Sequence, residues 1–502
     1  MRMINMLALG AFAWSVTMFP ACCDASLRPA SFQTGLSSEG VAGRHESGEE
    51  KEVAIDFHIS SDADEELDGA LFHLTTDVIN RGKKKLKNLR VRYIINLQPT
   101  LYTATPRAAD TLHAWVEDTL LSVLPERGRI RLSKTINLEH ARFWSPEEPW
   151  LYRVKVMLLD KNEHALQTLE TASGIRKSRF SQTLSLADEY GHGGRFYILN
   201  TQPFKIKGLR WTDLCNSNQN LTVAIKQLKH LGANTIVDDA DGIRQDLYKL
   251  CDLYGLCVIR IQDTARISKA DSLLSNHPSL CMWATPYVKA SREKVLVFTP
   301  TTQRYQMDEN TAYIALSDTI SPIYMSQAMQ HAIDAKPGEG YPYLMACVCA
   351  NDTAEVVTRM ADISKAIDQT NLIMGQLLIC DALPIGNLAK ALQKNFQDVT
   401  IDSINGPEGY FAIANNNYFV TLSHYTALWQ VWEGDQVKAQ GTLTVPSLQP
   451  RGRVTVKVPF DKSKMLSRHT YTVRLSFRLK HKLPWAEEGE VMASHDFYIM
   501  LK

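Results

Sequence analysis

The sequence predicts a multidomain fold: an immunoglobulin-like β-sandwich, a small (β/α)8 barrel with short loops, and a second immunoglobulin-like β-sandwich at the C-terminus. Three observations predict it. The 502 residues exceed what one ordinary core holds and suit about three domains. Both ends of the chain alternate apolar and polar residues with period two, split by turn residues, as strands do. The middle alternates short apolar runs with helix-length amphipathic runs, the pattern of a parallel sheet covered by helices.

The composition is that of a water-soluble protein, 45% hydrophobic and 22% charged. A formal net charge of +1 supplies no global field for nucleic acid or an anionic membrane, and no nucleic-acid partner is expected. Arg2, the apolar run Met6 to Phe19 and the small residues around Ala21 have the layout of a secretory signal, assigned to residues 1–25. The run is too short for a membrane span. Cys22 and Cys23 follow directly, where a bacterial lipoprotein carries its acylated cysteine, although Phe19 stands where an aliphatic residue is usual. Two readings stay open: a lipid anchor through Cys22, and cleavage near Ala25. Either places the protein in the periplasm or at the cell surface. Residues 26–52 are rich in Ser, Gly, Glu and Arg and are expected to form a disordered tether.

Residues 53–176 carry runs expected as strands: Val53 to Ile59, Gly69 to Val78, Leu89 to Leu97, Leu112 to Val123, Arg129 to Thr135 and Leu151 to Leu159. Turns fall at Asn80-Arg81-Gly82 and Glu126-Arg127-Gly128. Six or seven strands in about 120 residues suit an immunoglobulin-like sandwich.

Residues 196–395 are assigned to the barrel. Strands are expected at Phe204 to Trp211, Asn234 to Val237, Leu256 to Ile261, Leu280 to Trp283, Lys294 to Phe298, Thr319 to Tyr324, Tyr343 to Val348 and Asn371 to Ile379. Helices are expected at Leu221 to Leu231, Gly242 to Tyr254 and Thr353 to Asp368, the second closed by Gly255. At about 200 residues this is small for the fold, so its loops must be short. Cys215, Cys251, Cys257, Cys281, Cys347, Cys349 and Cys380 fall mostly inside apolar runs and read as buried free thiols. Cys347-Val348-Cys349 has the wrong spacing for zinc. Residues 399–502 return to period two, with strands expected at Tyr410 to Ala414, Tyr418 to Leu422, Ala427 to Trp432, Arg453 to Val458, Thr470 to Leu479 and Val491 to Leu501.

Several motifs, taken together and in order, carry a resemblance. Trp144-Ser145-Pro146-Glu147-Glu148-Pro149-Trp150-Leu151-Tyr152, then Gly174-Ile175-Arg176, then Phe196 to Asn200 and Phe204 to Gly208, resemble the sandwich and barrel entry of glycoside hydrolase family 2. Leu428 to Trp432, Leu475 to Lys480 and Pro484-Trp485-Ala486 resemble the sandwich that follows the barrel in large bacterial β-galactosidases. The resemblance runs from about Val53 to the end, and leaves no room for that family's N-terminal jelly roll.

The resemblance implies a catalytic pair that the residues do not supply. Retaining glycosidases need two carboxyl groups about 5–5.5 Å apart. The family's acid/base Glu ends a strand that begins His-Pro-Ser; here His277, Pro278, Ser279, Met282 and Trp283 match, but the Asn-Glu positions hold Tyr287 and Val288. The nucleophile position holds Val348. The family's Arg and His after the second strand are Val237 and Ala240, and its magnesium-holding Glu and His fall near Ala265 and Ile267. The paired tryptophans after the last strand are replaced around Ile379, Cys380 and Ala382.

No catalytic residue, metal ligand or cofactor is therefore expected. Trp211 and Tyr324 are the expected carbohydrate contacts; the plainer reading of Tyr324 is a packed barrel-end tyrosine with its hydroxyl in water. Asp238, Asp239, Asp241, Asp263, Asp318, Asp352 and Asp381 lie near strand ends and read as loop and cap residues. A relocated dyad of Asp239 and Asp352 is the alternative. Three functions follow: a noncatalytic β-galactosidase-like protein that binds a glycan or an envelope protein, an active glycosidase with relocated carboxylates, and a structural envelope scaffold. The oligomeric state stays open.

Overall fold

The computed structural model describes residues 52–63, 67–98, 100, 114–180, 197–210, 220–240, 242–262, 266, 274, 276–288, 294–300, 312–314, 344–349, 358, 373–379, 385–466 and 469–500. The expected signal peptide and all of the expected tether except Glu52 lie outside these residues.

Among the described residues, seven strands form the first part: β1 (Val53–Ala63), β2 (Gly69–Asn80), β3 (Leu86–Leu97), β4 (Ala114–Leu124), β5 (Arg129–Glu139), β6 (Tyr152–Leu159) and β7 (Ala165–Ser173). They make two antiparallel sheets, ordered β1-β2-β5 and β4-β3-β6-β7. Alternation aims one face of each sheet inward. Ile55, Phe57 and Ile59 of β1, Phe72 and Leu74 of β2, and Val91, Tyr93 and Ile95 of β3 meet in one core. β7 is a strand that the pattern of residues did not single out; its face alternates weakly, with only Gln167, Leu169 and Ser173 buried.

A short antiparallel sheet follows, from β8 (Ser178–Phe180), β9 (Tyr197–Leu199) and β10 (Gln202–Phe204). The middle of the chain then contributes β11 (Ile206–Arg210), α1 (Leu221–His230), β12 (Thr235–Asp238), α2 (Gln245–Tyr254), β13 (Cys257–Ile261), β14 (Leu280–Val288), β15 (Lys294–Pro300), β16 (Ala312–Ile314), β17 (Leu344–Cys349), β18 (Ile373–Ile379) and α3 (Ile385–Phe396). Asn220 caps α1 by accepting the Thr222 N–H, and Ala224, Ile225 and Leu228 form its buried stripe. Gly255 ends α2 at φ +68°, where a side chain would run into the Pro146 carbonyl.

The eight strands form one sheet in the order β16-β15-β14-β13-β12-β11-β18-β17. Six of them, from β17 to β14, are parallel. The expected uniform barrel needs a correction here: β14 and β15 pair antiparallel, as do β15 and β16. Only residues 289–293 separate β14 from β15, too few for the crossover of a dozen or more that parallel strands require. β13 stops pairing with β14 at Ala284, so Thr285 to Val288 pair with β15 alone. That overhang accommodates Pro286, which has no N–H for a second ladder. The expected strand Thr319 to Tyr324 lies outside the described residues, as does the helix Thr353 to Asp368 apart from Thr358.

The last part holds β19 (Val399–Asn405), β20 (Tyr410–Asn415), β21 (Tyr425–Glu433), β22 (Gln436–Leu443), β23 (Arg453–Lys457), β24 (Thr470–Leu479) and β25 (Val491–Met500). Two sheets, β19-β20-β23 and β22-β21-β24-β25, enclose a core that includes Phe411, Trp429, Tyr471 and Phe477. The expected strand Tyr418 to Leu422 is not one. Glu147 takes the backbone N–H groups of Tyr418, Phe419 and Val420 at 2.7–3.2 Å, leaving them none for a ladder.

Candidate functional site

The six parallel strands put their carboxyl ends on one edge, the edge where α/β sheets carry ligands. Val288 closes β14 opposite Lys294, and Val348 lies one residue from the end of β17, opposite Leu378. Both positions implied for catalytic glutamates are therefore on this edge, and both are aliphatic. Val237, where the resemblance implies an arginine, is buried within β12, and Ala240 is half-buried just beyond it.

The carboxylates that are described here belong to Asp238 and Asp239, and arginines hold both. Asp238 is 1% exposed. Its Oδ2 accepts Arg260 Nη1 and the Tyr248 hydroxyl, each at 2.8 Å, and its Oδ1 accepts the Ala240 N–H at 3.2 Å. It thus faces helix α2, which carries Tyr248. Burial pushes the Tyr248 hydroxyl well above its ordinary pKa, and the Asp238 charge adds to this, so it stays a donor. Arg260, also 1% exposed, reaches Gln262 Oε1 at 3.2 Å through Nη2. Asp239 Oδ2 accepts Arg210 Nε at 2.8 Å and lies 2.7 Å from Arg210 Nη2. Asp239 Oδ1 and Arg260 Nε are buried without a hydrogen-bond partner.

This arrangement cross-braces β11, β12, β13 and α2. It does not present an acid and a base to a substrate. Asp238 and Asp239 each give one oxygen to an arginine, and the second Asp239 oxygen is buried, so neither carboxylate is set out to pass a proton to or from a substrate. Asp241, Asp263, Asp318, Asp352 and Asp381 lie outside the described residues, so the Asp239–Asp352 dyad has one member placed, in an ion pair. Trp211, Tyr324, Ala265 and Ile267 also lie outside them. Among the described residues no group of three His, Cys, Asp or Glu side chains could hold a metal ion.

The residues that carry the resemblance have structural partners at the other end of the sheet. His277 Nδ1 lies 2.6 Å from Asp252 Oδ2, and Asp252 Oδ1 accepts the Ser279 N–H at 3.0 Å. The Trp144 indole donates to the Asp252 carbonyl at 2.9 Å. Arg176, 9% exposed, donates to the carbonyls of Pro278 and Leu280 and to Ser178 Oγ. Gly174 packs against Pro278 so closely that a Cβ would lie 2.6 Å from its Cγ. The His-Pro-Ser segment is thus the seat on which the first sandwich docks. Lys229 extends the junction: it is buried, and its Nζ donates to Pro146 O at 2.8 Å and Gly255 O at 2.9 Å. Burial pulls its pKa down to about 8, against Asp398 and Glu147, which raise it. A crevice lined by Lys229, His230, Gln397, Asp398 and Tyr425 lies here, at the amino edge of β12, away from the valines.

Sequence reasoning singled out His277 and Trp144 as family markers but missed Asp252, Arg260 and Lys229. A charged residue inside an apolar run was the available signal for Arg260, in Cys257-Val258-Ile259-Arg260-Ile261.

The family model described as Glycosyl hydrolases family 2 matches residues 53–176, and the one described as Beta-galactosidase, domain 4, matches residues 411–500. A β-galactosidase of Oenococcus oeni is 23% identical over 346 residues, covering 59% of this chain and 31% of that protein. The chain therefore spans about a third of that relative's length. Amycolatopsis orientalis exo-chitosanase CsxA superposes with a TM-score of 0.50 at 13% identity, covering 90% of this chain and 64% of that one. A calcium binding mutant of Bacteroides uniformis β-glucuronidase 2 gives the same TM-score and identity, covering 90% and 60%. At such identity the likeness concerns the fold alone.

Proposed function

We propose, from the glycoside hydrolase family 2 match at residues 53–176 and the β-galactosidase domain 4 match at residues 411–500, that this β-galactosidase-like protein is a noncatalytic member of family 2 that binds a glycan or an envelope protein. The observation that carries the reading is valine at both glutamate positions, Val288 and Val348, on the carboxyl edge of one sheet. Valine cannot protonate a leaving oxygen and cannot form a bond to an anomeric carbon. The nearby carboxylates of Asp238 and Asp239 support the reading, because arginines occupy them.

The same reading takes the central sheet as a (β/α)8 barrel altered at its fourth and fifth strands, flanked by immunoglobulin-like sandwiches. Its support is the strand order, which is that of a barrel opened between β16 and β17. The aromatic contacts for a sugar would be Trp211 and Tyr324. Export, by signal cleavage or with a lipid on Cys22, belongs to the proposal, and the mass of the native N-terminus tests it: an intact Met1 counts against export.

The test of function is a chromogenic-glycoside screen with purified protein, at several pH values and with magnesium. No turnover above background is expected. The double substitution Val288→Glu, Val348→Glu is expected to restore little, because Val237, Ala240 and Ala265 remain. Turnover of a galactoside by the wild type, abolished by substitution of Asp239 or Asp352, would establish the relocated dyad instead.

A further inference from the structure

Cys257 opens β13 and Cys281 is the second residue of β14. These strands are parallel neighbours, and their pairing steps from Val258↔Leu280 directly to Ile259↔Met282. Cys281 is therefore the extra residue of a bulge. Bulges re-aim a side chain. Here the bulge leaves the Cys281 sulfur 2.8 Å from the Cys257 sulfur. Both residues are 1% exposed. That approach is closer than two thiols adopt when each merely fills core space as a small hydrophobe. A disulfide holds its sulfurs about 2.05 Å apart, so closing this bond moves them by less than about 1 Å.

The surroundings hold the bulge in place. Arg176 donates to the Leu280 carbonyl, and the Tyr197 hydroxyl to the Cys281 carbonyl at 3.4 Å. They also distinguish the two thiols. Burial acts to raise the Cys281 pKa, but the Cys257 hydrogen bond, the Arg176 charge and Tyr197 outweigh it, and the value is lowered. Burial, then Cys281, push Cys257 well above its ordinary range.

We propose that Cys257 and Cys281 form a disulfide that staples β13 to β14. The oxidant is a small-molecule disulfide, RSSR. Either cysteine can attack first; with Cys281 first, its thiol gives up its proton, its sulfur attacks one sulfur of RSSR, and RS⁻ leaves and takes up a proton. The Cys257 thiol then gives up its proton and its sulfur attacks the Cys281 sulfur of the mixed disulfide. The second RS⁻ leaves and is protonated. Two protein thiols and one RSSR become one protein disulfide and two RSH, the protein losing two electrons and two protons. Because both sulfurs are buried, the exchange belongs to the chain before these strands close. In the folded protein a small reductant cannot reach the bond.

The test uses the full chain, unfolded under reduction and refolded with either glutathione disulfide or dithiothreitol. Remaining thiols are alkylated in denaturant and the peptides mapped by mass. The expected result with glutathione disulfide is a linked Cys257–Cys281 peptide, lighter by two hydrogens than its reduced halves. The bond should survive dithiothreitol in native buffer and yield to it in urea. Cys251→Ser should keep the linked peptide, whereas Cys257→Ser should leave Cys281 alkylated. Recovery of both residues alkylated after oxidative refolding, or linkage of either to Cys251, overturns the proposal. The wild-type map decides this even where a variant fails to fold.

Discussion

Glu147 offers a test of how the three parts of the chain are joined. Its carboxylate leaves the first sandwich and meets the backbone N–H groups of Tyr418, Phe419 and Val420 before β21. Burial pushes its pKa up from 4.5 to about 7, aided by the Asp398 charge and opposed by the Tyr418 and Phe419 N–H groups and by Lys207. In the unfolded chain the group titrates at its ordinary 4.5. Between these values the folded protein keeps a proton that the unfolded chain releases. The stabilising contribution is therefore complete below about pH 4.5 and lost as the pH rises through about 7. At about 1.36 kcal/mol per pKa unit, the loss is about 3 kcal/mol. Glu147→Gln keeps an uncharged side chain and abolishes this dependence. The measurement is urea unfolding of wild type and variant at about pH 4.5, 6 and 8, followed by tryptophan fluorescence and far-UV circular dichroism on the transition both probes share. Titrating groups that do not interact with Glu147 are common to both proteins and cancel in the difference. Wild type should lose about 3 kcal/mol relative to the variant across the range. Parallel stability curves would refute this reasoning. A difference of opposite sign would show that the three N–H donors hold the carboxylate charged.

Three further outcomes follow. Asp238→Ala leaves the Arg260 charge buried without its partner and should cost about 3–5 kcal/mol in the same unfolding assay. Gly174→Ala places a methyl group against Pro278 and Trp144 and should cost about 1–3 kcal/mol, with faster proteolysis at the junction between the sandwich and the central sheet. Trp144→Phe removes the indole bond to the Asp252 carbonyl and should cost about 1–3 kcal/mol, the penalty of leaving that buried acceptor unsatisfied.

Local features were legible in the sequence because they depend on neighbours along the chain. The alternation in Val53 to Ile59 and in Thr470 to Leu479 fixes which face of each strand is apolar, and both strands form. Gly255 marks the end of α2 because only the residue at that point must adopt positive φ. The identities of Val288 and Val348 also needed no structure. Their placement on one edge did, since it depends on which strands pair and in which direction. The hairpin from β14 to β15 was hidden for the same reason: a strand's residues do not encode whether its partner runs parallel. Tyr418 to Leu422 alternates like a strand, yet its N–H groups go to a glutamate far away in sequence. The motif residues His277, Arg176 and Glu147 were visible as markers of kinship. Their work as ties between domains was decided by tertiary structure, because a buried charge or N–H is satisfied by whatever partner the fold brings to it.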